Sequence, residues 1–305
     1  MLIEEVQSYS NLEFLARKAK EGFITGMHNS PFHGFSVEFA EHRPYNPGES
    51  VKHLDWKLLA RTDKKYVKQF NEETNLRSYF WVDTSKSMFY PQNSPWKIKF
   101  ESLAAAALSL IFQHQKDAFS LQLFDENGFY FKQNCKSTLA HWHQFSAQLE
   151  PFWNWQNKVK NNQQNHESAS IPLEEMAIQI HQRSMVLIFS DLLWDENTQH
   201  TEKEQFWKAL ALLRFKKCEV LLFHIFHRQD EIDLQLDNRP TKFIDLETGE
   251  SLKLLPGEFQ QVYQKSQSKW LQTTKDDLQN LGISYHPCDV SQPIEQVFKS
   301  FFSRR

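Results

Sequence analysis

From Arg77 onward the chain alternates two patterns that cannot share one kind of backbone: short apolar runs bounded by polar turns, and longer segments with helical spacing. "LRSYFWVD" reads as a strand and "WKIKFESLAAAALSLIFQHQ" as a long, largely apolar helix. "AFSLQLFDENGFYFKQ" reads as a hairpin through Asn127-Gly128, a pair that accepts the positive φ angles of a two-residue turn. "STLAHWHQFSAQLEPFW" predicts a helix opened by a Ser or Thr cap. After the polar, aperiodic stretch from Gln156 to Ser168 come a helix from Ile171, a buried strand "SMVLIFSD", a helix "EKEQFWKALALLRFKK" and a strand "CEVLLFHIFH". A hairpin in "TKFIDLETGESLKLL", a helix from about Glu258 to Leu281, a strand "ISYHP" and a helix from Pro293 complete the series. Alternation of this kind predicts an α/β fold, with a mostly parallel sheet covered by helices on both faces.

The region before this alternation has another character. Asn11 to Gly26 has helical spacing, and from Gly34 the chain reads as strand, Pro47-Gly48 turn, short helix and strand again. A boundary follows, with residues 1–74 as an N-terminal extension and 75–305 as the α/β domain. A chain of 305 residues, 40% hydrophobic and with 26 Phe, is long enough to bury such a core.

Composition excludes several classes of function. Only 8 Gly are present, too few to favour Gly-rich phosphate loops, and a formal charge of −3 gives no general attraction to nucleic acid or anionic membrane. Cys135, Cys218 and Cys288 form no C-x-x-C pair, and an odd number does not build a disulfide framework. Acids precede any apolar run at the N-terminus, unlike a secretory signal, and no stretch reaches the roughly 18–20 apolar residues of a membrane span. A reduced, cytoplasmic protein is expected.

The chemistry concentrates where the first strand ends. Asp83, Ser85 and Ser87 are spaced by two, which on extended backbone places three oxygen-bearing side chains on one side. In an open parallel sheet the carboxyl ends of strands are where ligands bind. "MVLIFSD" places Asp191 after its strand as Asp83 follows the first. Either Asp alone is an ordinary turn or cap residue. Two carboxylates with two hydroxyls, however, suit a hard cation such as Mg²⁺ (or Mn²⁺), which takes oxygen ligands and keeps several waters.

Asp83-x-Ser85-x-Ser87 with a later Asp191 resembles the metal-ion-dependent adhesion site of von Willebrand factor A domains. The preceding stretch, "RPYNPGESVKHLDWKLLARTDKKYVKQFNEE", resembles the signature of domain-of-unknown-function family 58 through Arg43, Tyr45, Pro47, Gly48, Glu49, Asp55, Trp56, Ala60, Arg61 and Glu73. "IDLETGE" is similar to that family's late hairpin. The resemblance implies a von Willebrand A-like, Rossmann-like sheet and a partner of the MoxR-type AAA+ ATPase class. It also implies a third hydroxyl between the acidic strands. The family often has Gly-Thr-Asp there and this chain does not, which leaves Ser170 or Ser168, before the helix at Ile171, and Thr138 as alternatives. Arg43, Tyr45, Trp56, Lys57 and Arg61 would form the partner surface, within a local basic cluster from Lys52 to Lys68.

The expectation is a non-catalytic, metal-dependent protein-binding module. The enzymatic alternative is a Mg²⁺-dependent phosphatase with Asp83 as nucleophile. Such an enzyme needs a second carboxylate two residues on as acid and base, and Ser85 stands there instead. Zinc is disfavoured as well, because His141, His143, His224 and His227 lack accompanying Cys or a carboxylate-bearing motif.

Overall fold

The structure is a computed structural model and describes residues 2–6, 11–25, 39–45, 56–62, 65–70, 76–91, 95–154, 171–193, 199–244 and 251–303. The chain opens with α1 (Ile3–Val6), α2 (Leu12–Thr25), β1 (Phe39–Pro44), α3 (Trp56–Thr62) and β2 (Tyr66–Phe70). It continues through β3 (Arg77–Asp83), α4 (Trp96–His114), β4 (Ala118–Asp125), β5 (Gly128–Lys132), α5 (Leu139–Trp153) and α6 (Leu173–Gln179). Next come β6 (Met185–Ser190), α7 (Gln199–Phe215), β7 (Glu219–Phe226), β8 (Thr241–Ile244) and β9 (Ser251–Leu254). The series ends with α8 (Pro256–Asn280), β10 (Ser284–Asp289) and α9 (Ile294–Ser303). These elements fall into two compact units, residues 1–29 with 77–305, and residues 30–76.

In the larger unit a six-stranded sheet runs in the order β10-β7-β6-β3-β4-β5. All neighbours pair in parallel except β5, which turns back on β4 through Glu126-Asn127, one residue before the expected Asn127-Gly128, with Gly128 already paired to Asp125 as the first residue of β5. Gly128 sits at φ +112°, and a side chain there would meet the Ile171 carbonyl at 2.6 Å, so the turn requires glycine. The expected α/β class and the mostly parallel, Rossmann-like sheet are found. Strand order reverses beside β3, because β4 follows on one side and β6 on the other.

Helix α4 is largely apolar beyond its first turns, and residues Lys97 to Phe112, the charged Lys97, Lys99 and Glu101 among them, are all buried. A helix buried all round needs cover on both sides. The sheet supplies one side, with Phe80 meeting Phe112 edge-on at 5.8 Å. Helix α5 lies alongside, its Trp142 indole N–H donating to the Ala106 carbonyl at 3.1 Å. Helix α2 closes the outside with Leu12, Leu15, Ala16, Ala19 and Phe23, all buried on one helical stripe. Burial of Leu12, Leu15 and Phe23 contributes about 1.5–3 kcal/mol each. Phe23 also packs on Phe298 of α9, with ring centroids 5.0 Å apart, and the Glu13 carboxylate meets the His143 ring of α5 at 2.7 Å.

Helix α2 is therefore part of the sheet-bearing unit. The compact units set residues 30–76 apart from the rest, whereas the sequence reading divides the chain at residue 74. On the opposite face, Val186, Ile188, Val220 and Leu222 pack against Phe206, Leu210 and Leu213 of α7, Met176 of α6 and Leu278 of α8. In the smaller unit β1 and β2 pair antiparallel, with Arg43 opposite Val67.

Candidate metal centre

The reversal of strand order puts the carboxyl ends of β3 and β6 at a topological switch point, where an open α/β sheet leaves a crevice. Asp83 ends β3, and Ser190 ends β6 with Asp191 directly after it. The two chains are joined there: the Ser190 hydroxyl donates to Asp83 Oδ2 at 2.6 Å and accepts from the Leu192 backbone N–H at 3.0 Å. Asp83 Oδ1 accepts the Ser85 backbone N–H at 2.9 Å. Beyond Asp83 the backbone does not stay extended, as the spacing of two assumes. Lys86–Phe89 winds into a 3₁₀ turn. The turn still brings Ser85 Oγ and Ser87 Oγ to 3.2 Å of each other. On the other side Asp191 Oδ1 accepts the Leu193 N–H at 3.1 Å, and Leu192 between them takes a left-handed φ of 55°. A leucine held there costs on the order of 1–2 kcal/mol, a strain the buried Leu192 side chain offsets by packing.

Around these oxygens lies a ring of charge that sequence reasoning missed. The first turn of α4 delivers Lys97, whose Nζ donates to Asp191 Oδ2 at 2.8 Å and to Glu231 Oε1 at 2.5 Å. Glu231 is oriented in turn by the His227 backbone N–H at 2.6 Å. His224 bridges Asp191 from below, with Nε2 3.1 Å from the Asp191 carbonyl and Nδ1 2.7 Å from the Tyr285 hydroxyl. Lys97 and Asp191 are each 1% exposed. One turn along α4 is Glu101, fully buried, and neither of its carboxylate oxygens has a hydrogen-bond partner among the described residues.

Electrostatics follow from that crowding. Burial, then the charge of Asp191, pushes Asp83 up to about 7, against the hydrogen bonds from Ser190 and Ser85. Glu101 is raised well above the usual carboxylate range by burial and by Asp83 and Asp191. Burial opposes the Lys97 charge, yet Asp191 and Glu231 hold that ammonium above the ordinary lysine range. Burial brings His224 down to about 4, leaving it neutral. Among the described residues, the buried carboxyl groups thus outnumber the ammonium, that of Lys97, which faces them. Two carboxyl groups and two hydroxyls, with burial and crowding holding the carboxyls short of full ionisation, fit a hard divalent cation that keeps several waters and would favour their charged forms. Among the described residues no set of three or more His, Cys, Asp and Glu side chains converges closely enough to hold an ion unaided.

Of the residues expected at the site, Asp83, Ser85, Ser87 and Asp191 come together at one end of the sheet. Ser170, like Ser168, lies outside the described residues. The residue after it, Ile171, exchanges two 2.8 Å backbone hydrogen bonds with Phe129, whose strand partner Phe124 sits beside Asp83. Thr138 is excluded as the third hydroxyl. It caps α5, accepting the His141 N–H at 3.2 Å, and neighbours Lys136, which bridges to Phe119 at the opposite end of the sheet. In the smaller unit, Trp56 opens α3 and is 62% exposed, Arg61 is exposed in its last turn, and Tyr45 is half-buried with Lys65 Nζ 5.9 Å from its ring. Arg43 lies in β1 and Lys57 in α3, their side chains outside the described set. His141 and His143 are occupied by the Phe119 carbonyl and Glu13. Sequence reasoning singled out none of Lys97, Glu101 and Glu231: with Lys99 between them, Lys97 and Glu101 look like an ordinary solvent-facing pair four apart at the start of a helix.

These features define an α/β protein with a mostly parallel sheet and a buried carboxylate–hydroxyl centre at its switch point. A family model described as "Protein of unknown function DUF58" matches residues 41–269, and the chain belongs to that family. Among curated relatives, an uncharacterized protein of Mycobacterium bovis and two of Mycobacterium tuberculosis are each 30% identical over 100 residues. The match covers 33% of this chain and 32% of each relative, so the chain spans about a third of the length of the curated relatives it matches.

Proposed function

We propose that the protein is a non-catalytic protein-binding module whose docking depends on Mg²⁺ or Mn²⁺ held by Asp83, Ser85, Ser87 and Asp191, with Ser170 as the further hydroxyl. The observation that carries this reading is the union of Asp83, Ser190 and Asp191 across the β3–β6 switch point beside the paired Ser85 and Ser87 hydroxyls. When bound, the ion supplies a positive centre with exchangeable positions, which an acidic side chain of a partner can enter. The chain's own residues do the positioning: Ser190 and the Ser85 N–H fix the Asp83 carboxylate, while Lys97 and the Leu193 N–H fix that of Asp191. Ser85, two residues after Asp83, offers no acid or base for hydrolysis.

The family resemblance supports a MoxR-type AAA+ ATPase as partner, in the cytoplasm. The exposed Trp56 indole and Arg61 guanidinium support a contact surface on the smaller unit that also uses Arg43, Tyr45 and Lys57. No helix among the described residues is long and apolar enough to cross a membrane.

Calorimetric titration of Mg²⁺ and Mn²⁺ into the wild type and Asp83→Ala tests the metal. Binding by the wild type and its loss in a folded variant is expected, and equal affinity in both would refute the ligand assignment. Recovery of the ATPase from the native cell, with and without chelator, tests the partner. Equal recovery would show that the metal does not form that interface.

A further inference from the structure

Helix α4 starts just past the carboxyl end of β3, and Cα–Cβ bonds of a helix tilt toward its N-terminus. Residues four apart share a face, so Glu101 follows Lys97 on the side that meets the strand ends and points back toward them. Lys97 is committed to Asp191 and Glu231. Glu101 is left with 0% exposure and with neither oxygen hydrogen-bonded among the described residues. A carboxylate buried without a donor is costly unless it is neutralised or faces a cation. Asp83 and Asp191 bear on it with like charge, and Lys97, which acts the other way, is shared with Asp191 and Glu231.

Resting on the metal-centre reading above, we infer that Glu101 is the outer-shell carboxylate of that centre. It accepts hydrogen bonds from the ion's hydration water and supplies the negative charge that the two Ser ligands lack. The role is outer-shell because the described acidic side chains do not converge as a three-residue ligand set. Neutral hydroxyls leave a divalent ion under-compensated by Asp83 and Asp191 when Lys97 already shares the charge of Asp191. Glu101 restores the balance from below the site, inside the protein and out of a partner's reach. Carboxylates in such positions typically carry a 10- to 100-fold share of metal affinity. Glu101 is thus a positioning and charge-balancing residue, and neither Asp-Ser-Ser spacing nor a two-acid pattern reveals it.

The test is a Mn²⁺ titration followed by electron paramagnetic resonance, on the full chain as wild type, Glu101→Gln and Glu101→Met, with chelator-treated thermal unfolding in parallel. The expected result has two opposite signs. Both variants should bind Mn²⁺ about 10- to 100-fold more weakly, and both should be at least as stable as the wild type in chelator, because a buried carboxyl group without a hydrogen-bond partner is gone. Equal Mn²⁺ affinity in wild type and variants would overturn the role of Glu101 while leaving the metal centre in place. No binding by the wild type would overturn the centre and Glu101 together. Variants that unfold in chelator would assign Glu101 to the fold and overturn the inference equally.

Discussion

Replacing Lys97 with Met removes one ammonium and leaves Asp191 and Glu231 facing each other in the protein interior. Lys97 and Asp191 are each 1% exposed and Glu231 is 19% exposed, so water screens the pair little. Met nearly conserves the volume, so the cavity contribution stays small. The dominant effect is loss of a partner from a buried ion pair, which costs about 3–5 kcal/mol. For a domain of this size that corresponds to a fall in Tm of the order of 10 °C. Urea unfolding followed by Trp fluorescence in chelator measures it, with the midpoint expected to drop at constant slope. The double variant Lys97→Met/Asp191→Asn should recover part of the loss, because the stranded charge is gone and the two sites couple. A loss below about 1 kcal/mol, the scale of an exposed pair, would refute the reasoning and place Lys97 in solvent contact.

Asp83→Asn addresses the other carboxylate through pH. The folded-state value of Asp83, about 7, lies above its ordinary 3.8, so its stabilising contribution is complete below 3.8 and is lost as pH rises through about 7. The difference corresponds to roughly 4 kcal/mol. In chelator the variant should match the wild type near pH 4 and exceed it increasingly toward pH 8, and a difference that does not change with pH would count against burial of the charge. Phe23→Ala should destabilise the sheet-bearing unit by about 3–5 kcal/mol, read as a lower denaturant midpoint. A negligible change would return α2 to the extension.

Most of the fold was legible because its elements are specified locally. The strands of "RSYFWVD" and "MVLIFS" announce themselves by apolar runs, and the hairpin between β4 and β5 by Asn127-Gly128. The placement of α2 was not legible, because which helix covers which is settled by packing between residues far apart in sequence. A sign existed in α4, whose lack of a polar face demanded an outer layer that no helix next to it in sequence could fully provide. At the site, Asp83, Ser85, Ser87 and Asp191 could be read from spacing and position after a strand, although a 3₁₀ turn rather than extended backbone unites the hydroxyls. Lys97 and Glu101 were illegible for a plain reason. Lys and Glu on a helix ordinarily mark its solvent face, and here they mark its most enclosed one. Glu231 sits in a π-helical turn, Arg228–Ile232, with no pattern to single it out.

The contact between Phe23 and Phe298 sets an order of events during synthesis. Helix α2 leaves the ribosome before α4, which it must cover, and α9 follows only after every other described element. Chain growth proceeds at roughly 5–20 residues per second, so more than ten seconds separate the two rings that finally touch. Through that interval α4 lacks part of its apolar cover, and contacts so distant along the chain close late because of the loops they must draw in. The outer layer of this unit is therefore sealed only once α9 has emerged, and the growing chain must meanwhile keep an apolar helix from associating with its neighbours.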